Sequence, residues 1–166
     1  MPAMSLDTLF LDTLKDVYYA ERQILKTFPK LIRAVQTPEL QEAMTLHREQ
    51  TQGQIERLQQ VFEMLGKRAQ GVTCEAIKGI LAESDELLED APEPSPVRDA
   101  GLLAGGQAVE HYEMARYGTL IAWAKASGKR EIVALLQQNL DEEKATDKLL
   151  STLAEKKVNP MAAKAA

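Results

Sequence analysis

Cysteine is almost missing from this sequence. The single thiol, Cys74, makes an intramolecular disulfide impossible and a cysteine-built zinc site implausible, and it suits a reducing cytosol. Long hydrophobic runs are missing too. The longest stretch without a charge, residues 100–109, falls far short of the roughly 20 residues that span a bilayer. The opening residues, MPAMSLDTLF, lack the charged segment and apolar core of a secretion signal, so a cytoplasmic protein is expected. Blocks of one charge are also absent. The net charge of −5 comes from 20 basic and 25 acidic residues that are intermixed along the chain. No basic stripe points to nucleic acid, and no cationic amphipathic helix points to a membrane surface. Finally, no segment alternates apolar and polar residues over a strand's length, and no Asn-Gly hairpin signal occurs, which excludes a sheet.

What remains is helical periodicity nearly everywhere. The chain of 166 residues, 45% hydrophobic and 27% charged, is long enough for one substantial core. The expectation is an all-α fold forming a single domain over residues 1–160, with residues 161–166 as a disordered tail. Helix one starts after Ser5, a good N-cap, and carries Phe10, Leu14, Val17, Leu25 and Ile32 on one face, with Pro29 expected to kink it. In QTPEL (36–40), Thr37 reads as a cap and Pro38 as the first helical residue; helix two then runs to about Leu65, before Gly66. A shorter helix follows, expected to be capped by Thr73. The proline-rich APEPSP (91–96) leads into a long helix from about 96 to 126, ASGKR turns the chain, and a last helix covers about 129–156. Short turns make each long pair antiparallel, and the 30-residue middle segment can carry the chain along the bundle. This is the connectivity of a ferritin-like antiparallel four-helix bundle with an additional crossover helix.

Helical phase at 100° per residue reveals an anomaly on the inner faces. Glu21 lies in line with Leu14, Leu25 and Ile32, Glu110 with Leu103, Met114, Tyr117 and Ile121, and Glu143 with Ile132, Leu136 and Leu150. Three long helices thus each aim one carboxyl at the core. Glu113 and Asp147 follow within one turn and can reach the same space, pair with Arg116 or Lys144, or face solvent. Counting from the two turns places the acids of each hairpin at one depth. Buried carboxylates are costly unless neutralised, and several at one level call for a cation. Oxygen ligands from facing helices suit iron or manganese, one ion or two. Helix two is less regular. It turns His47, Thr51 and Gln54 inward with Gln50 at the edge, while Glu49 points away. His47, about one turn off level, reads first as a hydrogen-bonded core histidine and second as a ligand.

The segments DVYYAERQILK, LHREQTQGQIERLQQVFEMLG, VRDAGLLAGGQAVEHYEMARYGTLIAWA and LDEEKATDKLL occur in order along almost the whole chain, and together they resemble the YciF/YciE family of bacterial ferritin-like, stress-associated proteins. The resemblance implies a four-helix fold related to the rubrerythrins, a homodimer, and a carboxylate-rich metal site in which Glu21, Glu110, Glu113 and Glu143 match the family's acids. It also implies a departure. Where relatives read His-x-x-Glu-Thr, this chain has Gln50 in the glutamate position, which favours one occupied metal position or a weaker pair. The metal ligands expected from residues and resemblance together are Glu21, Glu110 and Glu143, completed by Glu113, Asp147, Gln50, Gln54 or His47. Two functions are open at this point: a metal-binding stress protein that oxidises ferrous iron or scavenges peroxide, and a non-catalytic dimeric bundle with an incomplete metal site.

Overall fold

A computed structural model describes residues 4–165; the expectations at residues 1–3 and 166 lie outside the described residues. Helix α1 spans Leu6–Ala34, α2 Pro38–Met64, α3 Glu75–Asp90, α4 Pro96–Ala126, α5 Val133–Leu153 and α6 Asn159–Lys164. No strand occurs among the described residues. Ser5 and Ser95 cap α1 and α4 by accepting the N–H groups of Thr8 and Arg98 at 3.1 Å, which satisfies donors that the first turn leaves free. Helices α2 and α4 end at Gly66 and Gly128, whose φ angles of 64° and 75° favour glycine. Beyond each glycine the next N–H returns to the helix, Lys67 to the Phe62 carbonyl and Lys129 to that of Ala124, closing both helices by the same hydrogen-bonded turn.

The four long helices form a ring in which α1 touches α2 and α4, and α5 touches α2 and α4. Helix α3 packs on α4 with a smaller contact to α1, burying little more than Ile77 and Ser84. It is therefore the expected additional helix on the flank of the bundle.

Several local expectations need correction. The crossover helix begins one residue later than expected, with Cys74 rather than Thr73 as its N-cap. As expected, by contrast, Pro29 does not end its helix, and α1 continues to Ala34. A single tight turn, Arg130–Ile132, precedes α5. The residues after Asn159-Pro160, expected as a tail, are helical to Lys164. The chain reaches them through a π-helical turn, Ala154–Val158, that buries Ala154 and Val158. The wide turn absorbs Pro160, which cannot donate to an α-helical ladder.

The core is not continuous. Around one end of the bundle Phe10, Leu14, Leu58, Phe62, Leu120 and Leu136 form one apolar cluster. Around the other, Ile24, Phe28, Leu40, Met44, Leu103 and Leu150 form a second. Every long helix passes from one cluster to the other through buried polar residues: Glu21 on α1, His47, Thr51 and Gln54 on α2, Glu110 and Glu113 on α4, Glu143 on α5.

One polar device outside that layer went unread in the sequence. Arg98 and Asp99, consecutive on α4, are both buried. The Arg98 guanidinium donates to the Ala34 carbonyl at the end of α1 and to the Pro92 carbonyl at 2.6 Å. The Asp99 carboxyl accepts from the Thr37 N–H at 2.8 Å, the Thr37 hydroxyl at 2.6 Å and the Gln36 N–H at 3.1 Å. Thr37 does cap α2 by position, but its side chain makes no capping bond to its own helix; its hydroxyl is turned to Asp99, to which it donates. A cationic group thus sits at a helix C-terminus and a carboxyl at an N-terminus, each favourable for the local dipole. Asp99→Ala should destabilise the protein by about 2–5 kcal/mol, since it strands buried N–H groups. Urea unfolding checks this, with Asp99→Asn expected to retain part of the loss.

Candidate metal centre

Each acid of the polar layer stands where α-helical phase aims it at the bundle axis, and the apolar clusters above and below seal it from water. One ligand atom from each of His47, Glu110, Glu113 and Glu143 lies within 4.8 Å of all the others, and all four residues are buried. His47 Nε2 is 2.9 Å from Glu110 Oε1 and 3.4 Å from Glu143 Oε2, yet it meets neither in hydrogen-bond geometry. As carboxylates, both oxygens of Glu113 and of Glu143, and one each of Glu21 and Glu110, likewise have no donor in the protein; only by taking up protons can Glu113 bond Glu21 and Glu143 bond Glu110. Such orphaned buried atoms are rare in folded proteins. Their convergence is what a cation would satisfy. Two oxygens on opposite sides of a divalent ion bound at about 2.0–2.2 Å stand about 4–4.4 Å apart, so a small contraction closes the cage.

Glu21 flanks this group. One of its oxygens accepts the Tyr117 hydroxyl proton, and Tyr117 in turn accepts from Asn139 Nδ2 at 3.0 Å. The Asn139 amide oxygen accepts from Arg57, which also pairs with Glu142. A chain of bonds therefore runs from the half-buried Arg57–Glu142 pair to Glu21 and fixes its orientation. On the other side, His47 Nδ1 lies 3.3 Å from Gln50 Oε1 and 3.2 Å from Thr146 Oγ1. A proton on Nδ1 given to Gln50 leaves the Nε2 lone pair facing the acids, the orientation a ligating histidine takes.

The electrostatics follow from crowding. Burial and the neighbouring Glu143 push the Glu21 carboxyl up to about 8, and burial raises Glu110 to about 7. Glu113 and Glu143 rise well above the ordinary carboxylate range, chiefly by burial, with Glu143 and Glu21 adding to the first and Glu110 to the second. Tyr117 is also driven upward by burial and by Glu21, which keeps its hydroxyl a donor. Without a cation the layer must hold protons.

The expected ligands thus divide. Glu110, Glu113 and Glu143 converge, and Glu21 lies against them. His47, expected off level, instead reaches them, its Nε2 2.9 Å from Glu110 Oε1. Gln54 is fully buried in the same layer, and neither its amide oxygen nor its nitrogen has a partner. Gln50 is half-buried and turned to His47 and Thr146. Asp147 does not converge; it bonds Gln107 at 3.2 Å and pairs with the exposed His111 at 3.1 Å, at the rim. Glu49 is exposed, as its phase requires. Asn139 and Thr146 were missed, although each lies one turn from Glu143 on its inner face and the same phase count finds them.

Fold and site together define a ferritin-like helical bundle with a buried carboxylate-histidine cluster that could hold a metal ion. Residues 5–163 match the family described as a domain of unknown function, DUF892, and the chain belongs to that family. It is 41% identical over 163 residues to Protein YciF of Escherichia coli strain K12, covering 98% of both chains. The crystal structure of the E. coli stress protein YciF superposes with a TM-score of 0.88, covering 95% of this chain and 99% of that one. YcfI from Rhodopseudomonas palustris, described as a candidate structural protein, is 47% identical and superposes at 0.86, covering 91% and 96%. The expected family and the expected helical bundle are both met.

The raised acids give a pH dependence to the metal-free protein. Between the ordinary value of 4.5 and the folded value of about 8 for Glu21, the folded state holds more protons than the unfolded one, so stability falls as pH rises. The melting temperature of metal-free protein should decline steadily from pH 5 to pH 8. Replacing Glu113 by Gln, which cannot ionise, should flatten that decline, as thermal melts across the range will record.

Proposed function

We propose that the protein binds iron or manganese in the polar layer and, with iron, acts as a ferroxidase-type stress protein of the cytoplasm. The observation that carries this reading is the convergence of His47, Glu110, Glu113 and Glu143 with their ligand atoms unpaired. Three carboxylates and one imidazole form a hard, oxygen-rich donor set that suits iron or manganese. Glu21, held by Tyr117, would complete the shell, and Gln54 could add an amide oxygen. The metal supplies the redox chemistry; the chain supplies ligand geometry, a dry surround and a place for the protons that the metal displaces. Kinship with a stress protein supports the physiological setting.

A second reading treats the chain as a non-catalytic bundle that works as a homodimer with a reduced metal site. Gln50 favours it, because the amide bonds His47 rather than adding charge to the layer. The description of YcfI as structural belongs to that relative and is consistent with it.

The two readings differ in what iron does. A ligand bound only by the folded state stabilises it by RT ln(1 + [L]/Kd), about 2.7 kcal/mol at a hundredfold excess over Kd. For a chain of this size that is of the order of 5–10 °C in Tm. Anaerobic Fe²⁺ or Mn²⁺ should raise the wild-type Tm by that amount. Glu110→Gln should remove most of the increment while the metal-free variant stays folded. Gln50→Glu should increase the bound stoichiometry, as metal analysis measures. No metal-dependent shift in the wild type would sink the first reading; a shift without ferrous oxidation in air would select the second.

A further inference from the structure

Beside the polar layer, on the side of the second apolar cluster, lies a cavity of about 40 Å³. His47, Glu110 and Thr146 form its floor, so it opens directly onto the candidate ligands. Its walls are hydrocarbon, with Ile24 and Phe28 from α1, Met44 from α2 and Leu103 from α4. At the rim Thr27, Leu31 and the α3 residue Leu81 are only half-buried. The cavity therefore reaches from the α1–α3 cleft to the acids.

Size and polarity select its occupant. An apolar cavity of about 150 Å³ takes benzene and stays free of water, so this one is too small for a ring or an acyl chain. Water needs two to four polar partners, which only the floor offers. Hydrogen peroxide carries two O–H groups that the hydrocarbon walls would leave unpaired, at a desolvation cost. A diatomic apolar gas meets neither obstacle.

Gly106, on the cavity wall, provides an independent observation. A side-chain carbon placed there would meet only Leu150 Cδ1, at 3.5 Å, an ordinary contact. Nor is its φ in the left-handed region. Glycine in a helix interior is less stable than alanine, and at this position neither crowding nor backbone conformation demands it. What the missing side chain preserves is the open volume.

We propose that this cavity is a dioxygen site that delivers the oxidant to the metal layer, so that the centre uses dioxygen rather than peroxide. The inference rests on the metal-binding reading above and adds the identity of the second substrate. In the balanced step each ferrous ion gives up one electron; over two such oxidations dioxygen takes both electrons with two protons from solvent, and the products are two ferric ions and hydrogen peroxide.

Xenon, an apolar probe of suitable size, tests the site without any metal. Crystals of the metal-free protein under xenon pressure should show a bound atom between Ile24, Leu103 and Gly106. Gly106→Leu and, independently, Ile24→Phe should lower its occupancy at least tenfold, and melting curves will show that each variant is folded. With iron in air, Gly106→Leu should raise the KM for dioxygen at least fivefold. Failure of the metal reading would appear separately, as absence of Mn²⁺ binding by the wild type. In a protein that does bind Mn²⁺, absence of xenon from the wild-type cavity, or an unchanged KM for dioxygen in Gly106→Leu, overturns the proposal.

Discussion

The constraint on which the rest of this structure depends is the burial of four glutamates and a histidine in one layer with no lysine or arginine among them. Everything around the layer serves to keep it dry and in register. Two apolar clusters close it from above and below, four helices each contribute to it, and a relay through Tyr117, Asn139 and Arg57 fixes Glu21. The energetic consequence is that the layer is stable only when neutralised, by protons or by a cation. Ordinary hydrophobic side chains in these positions would give a more stable bundle. Strongly shifted, buried titratable groups of this kind cluster at functional sites.

The layer also explains the division of labour among the helices. Helices α1, α4 and α5 contribute carboxyl groups, whereas α2 contributes an imidazole, two amides and a threonine. Helix α2 is consequently the neutral wall of the site. Gln50 belongs to this logic: it holds His47 from the side away from the acids, so an amide that adds no charge to the site orients its one nitrogen donor.

How far the sequence alone could be read follows from the physics of each feature. Helical phase is a local property, and it located Glu21, Glu110, Glu113 and Glu143 and turned Glu49 outward without any tertiary information. Depth within each hairpin needed only the two turns, which proline and glycine punctuate clearly. The misplaced residues are those whose side chains choose between partners. His47 reaches Glu110 on another helix, and Asp147 had a partner, His111, on a neighbouring helix that no count along α5 could reveal. The Arg98–Asp99 pair was invisible for the same reason, since it works on backbone groups more than 60 residues away. The π-helical turn before Pro160 was hidden because proline predicts an interruption without saying how a helix will accommodate it.

That pair has a consequence for how the chain is made. The turn between α1 and α2 presents its unpaired carbonyls and N–H groups to residues on α4, so the first hairpin cannot complete its own end when it emerges from the ribosome. Its polar groups stay hydrated until the crossover helix has been synthesised and the start of α4 arrives. The two halves of the bundle are thus tied in time as well as in space. Closure of the polar layer, which needs acids from α1, α4 and α5 together, comes only once nearly the whole chain is present.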